Sequence, residues 1–274
     1  MTTTRRAVIG GLALAASTSL IARSRAADPT PTPDAGHDMT TMPASWMKPD
    51  VIAMLCYPGM TILDLIGPQY MFASLMGATV HLVAKTRDPI TSDTGVTMVP
   101  TATLDECPAD LTVLFVPGGT AGTLDALRDD AIRNFVADRG ARATFVTSVC
   151  TGALVLGAAG LLKGYRATTH WGALETLADC GATPVAERVV RDRNRITGAG
   201  VTAGLDFGLT MVAELRDPLY AQGVQLGCEY DPAPPFNSGS LRTAPDDVKA
   251  IMTSMYAGFP ARVRTAFAEV GVKP

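Results

Sequence analysis

The sequence has few of the residues that build disulfide-rich, metal-binding or strongly charged proteins. Only five of its 274 residues are cysteine, and they are too few and too scattered for a disulfide scaffold. Their odd number leaves at least one thiol unpaired. Two of the three histidines, His81 and His170, fall in the body of the chain without ligand spacing, so we expect no metal. A net charge of −3 gives no electrostatic reason to expect a nucleic acid partner. A hydrophobic content of 47% excludes a disordered tail or a filament.

The first 26 residues have the pattern of an export signal. Arg5 and Arg6 precede an apolar run over residues 7–22, which is short for a membrane span of about 20 residues and is interrupted by serine and threonine. This pattern predicts a twin-arginine signal over residues 1–26, cleaved after Ala26, and a periplasmic or other extracytoplasmic protein. The mature chain would then have no stable membrane span. An uncleaved anchor is the alternative.

Beyond the signal, the sequence predicts a linker and one α/β domain. Residues 27–49 hold five prolines and predict an extended linker. From residue 50 to 274, short apolar runs alternate with helical patterns, which predicts a mostly parallel sheet covered by helices on both faces and a helical tail. Predicted strands cover residues 51–57, 79–84, 111–116 and 143–149, with an edge strand over 95–99. Helices are predicted over residues 68–75, 122–138, 151–162, 172–180 and 203–215, Pro68 opening the first.

Cys150 is the candidate nucleophile, because it stands where a predicted strand ends and a helix begins. The free N–H groups of a helix N-terminus stabilise a thiolate, so we expect a lowered pKa for this thiol. Glycine at position 152 has no side chain to crowd the sharp turn. The arrangement predicts a nucleophile elbow with cysteine in the position of serine. A small buried core cysteine is the alternative.

Two further strand ends carry suitable residues. Gly118 and Gly119 could present backbone N–H groups as an oxyanion hole, or could simply serve a turn that needs glycine. Asp64 precedes the predicted helix among apolar residues, where its carboxyl group could cap the helix or could stay protonated in a dry pocket. A protonated Asp64 would stabilise a thiolate on Cys150, whereas an ionised one would discourage it.

His170 could pair with Cys150 or line the substrate site, although a histidine between threonine and tryptophan is more often a packed structural residue. The remaining cysteines have no assigned chemistry. Cys107 and Cys228 could form a disulfide, which the sequence does not decide.

These motifs, in this order, resemble the ThiJ/PfpI superfamily and, within it, the branch that hydrates isonitriles. The stretches that carry the resemblance span most of the body of the chain, and they are LDLIGP (63–68), FVPGG (115–119), VCTGAL (149–154), LLKGYRATTHW (161–171), GVTAGLDF (200–207) and EYDPAPPF (229–236). The resemblance implies a flavodoxin-like three-layer α/β/α sandwich and a homodimer. Thr151 stands where the protease-like branch has histidine, which weakens a protease interpretation.

The resemblance also implies a reaction. Cys150 would be the nucleophile, Asp64 its acid and base, and Thr151 a supporting hydrogen-bond donor in a lyase that converts a small isonitrile to an N-substituted formamide through a thioimidate. No cofactor is implied. The alternatives are a glyoxalase-like or hydrolytic enzyme of the same superfamily, and a non-enzymatic redox or ligand sensor that uses Cys150.

Overall fold

A computed structural model describes residues 42–274 of the protein, so the predicted signal and most of the predicted linker lie outside the described residues. The strands are β1 Val51–Leu55, β2 Thr79–Ala84, β3 Ile90–Thr91, β4 Thr97–Met98, β5 Ala102–Thr103, β6 Val113–Val116, β7 Phe145–Val149, β8 Arg166–Ala167, β9 Thr183–Pro184, β10 Val189–Asp192 and β11 Arg195–Gly198. The α-helices are α1 Ile62–Ala73, α2 Thr120–Arg128, α3 Asp130–Arg142, α4 Gly152–Ala158, α5 Ala203–Leu215, α6 Pro218–Gly227, α7 Asp246–Tyr256 and α8 Phe259–Glu269. Two 3-10 helices cover Ala44–Trp46 and Trp171–Cys180.

A seven-stranded sheet in the order β10-β11-β7-β6-β1-β2-β5 forms the middle layer. Neighbouring strands are parallel except for the β10–β11 hairpin. Every residue of β6 is buried, and β1 and β7 are buried except at their first residues, as expected for strands covered on both faces. The predicted mostly parallel sandwich is therefore confirmed.

Four predicted helices differ in the structure. The one predicted over residues 151–162 is α4, which ends at Ala158, and the one predicted over 172–180 is the 3-10 helix Trp171–Cys180. Helix α1 begins at Ile62, so Asp64 lies in its first turn and Pro68 lies inside the helix instead of opening it. Pro68 lacks an N–H group and cannot donate to the carbonyl oxygen of Asp64, which α1 tolerates. The helix predicted over residues 122–138 is two helices, because Asp129 caps α3 by accepting hydrogen bonds from the N–H groups of Ala131 and Ile132.

Other departures are confined to the edges of the fold. The strand predicted over residues 95–99 is reduced to β4, which pairs with β3 in a separate hairpin. The last part of the predicted linker packs on the body, since Trp46 Nε1 donates to Asp217 Oδ2 (2.7 Å). All five cysteines are free, so Cys107 and Cys228 do not form a disulfide. Within residues 42–274, no helix is both long and apolar enough to cross a membrane.

Candidate active site

The candidate site lies where three neighbouring parallel strands end. Strands β7, β6 and β1 are adjacent and parallel, so their carboxyl ends meet at one edge of the sheet. Cys150 follows β7 directly, Gly118 and Gly119 follow β6, and Asp64 lies in the first turn of the helix that follows β1. The order of the strands thus brings together residues that are up to 86 positions apart in the sequence.

The backbone of Cys150 is held in the left-handed conformation, with φ of 56°. Its N–H group donates to the carbonyl oxygens of Gly198 (3.1 Å) and Ala199 (2.9 Å), and its own carbonyl oxygen accepts from Thr169 Oγ1 (2.7 Å). A non-glycine residue in this region costs about 1–3 kcal/mol, which these three hydrogen bonds offset. The turn has the form of the predicted nucleophile elbow.

Two glycines allow the strand-end turns to approach each other closely. A Cβ on Gly152 would collide with the carbonyl oxygen of Val116. A Cβ on Gly118 would lie 2.8 Å from Asp64 Oδ2, 2.8 Å from the Cβ of Cys150 and 2.6 Å from the backbone nitrogen of Thr151. Glycine is therefore required at both positions by the spacing between the turns.

Asp64 is fully buried, and its carboxyl group faces the other turns rather than capping its own helix. Its Oδ2 accepts a hydrogen bond from the N–H of Gly118 (3.1 Å), and its Oδ1 has no hydrogen-bond partner among the described residues. Burial raises the pKa of Asp64 to about 7, whereas the neighbouring thiol of Cys150 and the N–H of Gly118 lower it. This agrees with the expectation of an acid in a dry pocket, and the alternative of a helix cap is wrong.

The expectation of a lowered pKa for Cys150 is also wrong. Burial raises the pKa of this thiol and the charge of Asp64 raises it further, whereas hydrogen bonds from the N–H groups of Val201 and Thr151 lower it. The loss of hydration outweighs the helix N-terminus, because the thiol is only 5% exposed. If the thiol proton moves to an ionised Asp64, the pair keeps its single negative charge, whereas loss of that proton to solvent would leave two. A thiolate is therefore favoured only when Asp64 carries the proton.

The two glycines of the β6 turn do not provide an oxyanion hole in this arrangement. The N–H of Gly118 donates to Asp64, and the N–H of Gly119 donates to Thr151 Oγ1 (2.9 Å). Both N–H groups that were predicted to bind an oxyanion therefore already donate to side chains of the protein. Their role here is to position the side chains of Asp64 and Thr151.

A buried chain of hydroxyl groups, which the sequence analysis missed, adjoins the site. Thr151 Oγ1 lies 2.7 Å from Thr123 Oγ1, which lies 3.2 Å from the hydroxyl oxygen of Tyr57. Tyr57 donates to the carbonyl oxygen of Pro117 (2.6 Å). Tyr57 follows β1, so its place at the end of a strand could have predicted it from the sequence. Thr123 lies inside α2, where nothing in the neighbouring sequence indicates a role in the site. We call Tyr57, Thr123 and Thr151 the hydroxyl chain.

His170 occupies a structural position. Its Nδ1 accepts from the N–H of Gly172 (3.2 Å) and caps the 3-10 helix Trp171–Cys180. Its ring packs against the rings of Trp171 and Tyr256, with centroids 5.3 Å and 5.0 Å away, and burial lowers its pKa. Thr169, which the sequence analysis did not single out, is the residue of this segment that bonds to Cys150.

We predict that replacing Asp64 by Asn changes the pH dependence of stability. The folded protein holds the proton of Asp64 up to about pH 7, whereas the unfolded chain releases it near 3.8, the ordinary pKa of an aspartate side chain. The stability associated with the protonated carboxyl group is therefore lost as the pH rises through 7. Between pH 4.5 and pH 8, the unfolding free energy of Asp64→Asn should rise by about 3 kcal/mol relative to wild type.

Urea denaturation at both pH values measures this difference. Asp105→Asn, at an exposed carboxyl group, is the matched control and should follow the wild type. A difference between Asp64→Asn and wild type that does not change with pH would contradict a raised pKa at Asp64.

Comparison with known proteins places this arrangement in a family. The DJ-1/PfpI family model matches residues 50–214. The chain is 52% identical over 197 residues to the isonitrile hydratase of Pseudomonas putida, covering 72% of this chain and 86% of that protein. A ThiJ/PfpI family protein from Pseudomonas syringae has a similar crystal structure, with a TM-score of 0.81, 60% identity and coverage of 87% of this chain and 98% of that one. A DJ-1 superfamily protein from Salmonella typhimurium has a TM-score of 0.59 and 27% identity, with coverage of 67% and 100%. The chain belongs to the DJ-1/PfpI family and has its flavodoxin-like α/β fold.

Proposed function

We propose that the protein is a cysteine-dependent lyase that hydrates a small isonitrile to an N-substituted formamide. The observation that carries the proposal is the buried pair of Asp64 and Cys150, in which an acid with a pKa of about 7 lies beside the thiol at a nucleophile elbow. The 52% identity to an isonitrile hydratase supports the choice of reaction.

The geometry favours a slender electrophile. Cys150 is only 5% exposed, so a bulky reagent cannot surround its sulfur. The terminal carbon of R–N≡C is at the end of a linear group, and it can reach a nearly buried sulfur while the R group stays outside. A small-molecule substrate of this shape suits the site better than a peptide.

The first half of the reaction forms a covalent intermediate. The thiol proton moves to Asp64, and the thiolate of Cys150 attacks the terminal carbon of the isonitrile. The carbon keeps an electron pair, which takes the proton back from Asp64 and gives the thioimidate S–CH=N–R. Covalent capture of this kind divides one difficult hydration into two easier steps.

The second half consumes water and restores the pair. The carboxylate of Asp64 takes a proton from water, the hydroxide adds to the thioimidate carbon, and the nitrogen receives that proton from Asp64. The new hydroxyl group then gives its proton to Asp64 while the carbon–sulfur bond breaks. The formamide leaves, with Cys150 as thiolate and Asp64 protonated, as before the attack.

We expect formamide production from small isonitriles by the wild type. Cys150→Ser should lose at least about 1000-fold in kcat, and Asp64→Asn about 100-fold, because general acid and base catalysis contributes on this scale. Cys228→Ser, at a more exposed thiol, is the control and should stay near wild type. Liquid chromatography of the formamide measures all four proteins.

Two other results would contradict the proposal and favour one of the alternative functions. Turnover of 2-oxoaldehydes without turnover of isonitriles would indicate the glyoxalase-like alternative. Stoichiometric oxidation of Cys150 without turnover of either compound would indicate a sensor.

We also propose that the protein is an exported homodimer. Export rests on the twin-arginine pattern of residues 1–26 alone. The proposed dimer has support from α1, which buries Asp64 on one side and exposes Leu63 (37%), Ile66 (48%) and Tyr70 (52%) at the spacing of one helical face. A second copy of the chain could cover this face.

Light scattering coupled to size exclusion should therefore give a dimer for the wild type and a monomer for Ile66→Asp. Val99→Asp, at an exposed apolar residue outside α1, is the control and should stay dimeric. A monomeric wild type, or a dimeric Ile66→Asp, would contradict the use of this face.

A further inference from the structure

We infer that Thr123 is a positioning residue that controls the direction in which the hydroxyl group of Thr151 donates, with Tyr57 as the competing acceptor. The inference rests on the proposed function, since it concerns the same reaction. It follows from counting hydrogens along the hydroxyl chain, whose three members are all buried.

The two ends of the hydroxyl chain have fixed directions. The carbonyl oxygen of Pro117 can only accept, so the single hydroxyl hydrogen of Tyr57 is donated to it at 2.6 Å. At the other end, the N–H of Gly119 can only donate, so Thr151 Oγ1 accepts from it at 2.9 Å. The oxygen of Tyr57 can then only accept from Thr123.

Thr123 therefore has two possible arrangements. It can donate to Tyr57 (3.2 Å), in which case Thr151 donates to Thr123 and every hydroxyl group is satisfied. It can instead donate to Thr151 (2.7 Å), in which case Thr151 accepts two hydrogen bonds and its own hydrogen is free for a third partner. The second arrangement gives up only the 3.2 Å bond to Tyr57, the longest in the chain.

The third partner is a substrate atom at Cys150. Thr151 follows Cys150 directly, and a Cβ on Gly118 would lie 2.6 Å from the backbone nitrogen of Thr151 and 2.8 Å from the Cβ of Cys150, so both residues face the same narrow space. When the thioimidate forms, its nitrogen is an acceptor beside Thr151, and a hydrogen bond to it assists the addition of water at the neighbouring carbon. Thr123 makes this possible by turning its hydrogen from Tyr57 to Thr151.

The hydroxyl chain orients hydrogens and does not carry a net proton. A proton wire that ended at Tyr57 would leave a buried tyrosinate, and burial raises the pKa of Tyr57 well above its usual value. The proton that the reaction moves therefore stays with Asp64. The two mechanisms differ in what removal of the Tyr57 hydroxyl group would do.

The test compares kcat and KM for isonitrile hydration in Thr123→Val, Thr123→Ser, Thr151→Val and the double variant Thr123→Val/Thr151→Val. We expect Thr123→Val to lower kcat about tenfold with KM within twofold of wild type, since one oriented hydrogen bond is lost. Thr123→Ser keeps the hydroxyl group and should stay within threefold of wild type. In the Thr151→Val background, Thr123→Val should cause no further loss, because Thr123 acts through Thr151.

Thr176→Val is the matched control for the removal of a buried threonine hydroxyl group. Thr176 is fully buried, as Thr123 is, but its hydroxyl group donates to the carbonyl oxygen of Ala173 (2.7 Å) in the 3-10 helix Trp171–Cys180, outside the hydroxyl chain. Its kcat should equal that of wild type.

Tyr57→Phe separates orientation from proton transfer. It removes the competing acceptor, so kcat should be at least that of wild type when assayed below the unfolding transition. A tenfold loss in Tyr57→Phe would indicate a proton wire and overturn the inference.

An active wild type with a fully active Thr123→Val, or equal losses from Thr123→Val with and without Thr151, would also overturn it while leaving the proposed function standing. Absence of isonitrile turnover by the wild type would contradict both the proposed function and the role of Thr123.

Discussion

The close approach of three strand-end turns is the constraint on which the rest of the site depends. No Cβ fits at Gly118 between Asp64, Cys150 and Thr151, and none fits at Gly152 against the carbonyl oxygen of Val116. This spacing excludes water from the carboxyl group and the thiol, and it brings the N–H groups of the β6 turn within hydrogen-bond distance of Asp64 and Thr151. The perturbed pKa values and the occupied amides are consequences of that packing.

The electrostatics of the site follow from burial more than from the helix N-terminus. Burial makes the Asp64–Cys150 pair lose its first proton at a higher pH than an exposed carboxyl group does. The second proton is held more tightly still, because its loss would leave two negative charges in a dry volume. Within the singly charged pair, the proton can lie on oxygen or on sulfur. The thiolate arrangement is the one that an electrophile captures, and Asp64 then holds the proton that the adduct needs.

Much of the fold could be predicted from the sequence, because buried parallel strands are continuous apolar runs. The runs that became β1, β2, β6 and β7, and the rule that ligands bind beyond the carboxyl ends of such strands, were sufficient to select Cys150, Asp64 and the glycines of the β6 turn. The predicted start of α1 was wrong because proline is common in the first turn of a helix, and Pro68 was taken to mark that turn. The break between α2 and α3 depends on the cap at Asp129, which the sequence does not distinguish from other aspartates nearby. The sequence could not reveal the partners of the Gly118 and Gly119 amides or the contact of Thr123 with Thr151, since these depend on distances between turns far apart in the chain.

The central claim is that burial keeps the carboxyl group of Asp64 protonated up to nearly neutral pH beside Cys150. The most direct measurement is a carbon-13 NMR titration of the Asp64 carboxyl carbon in wild type, assigned by its absence in Asp64→Asn. We predict a titration midpoint near pH 7, as the packing of the site requires. A midpoint near 4, the value of an exposed aspartate, would contradict the account.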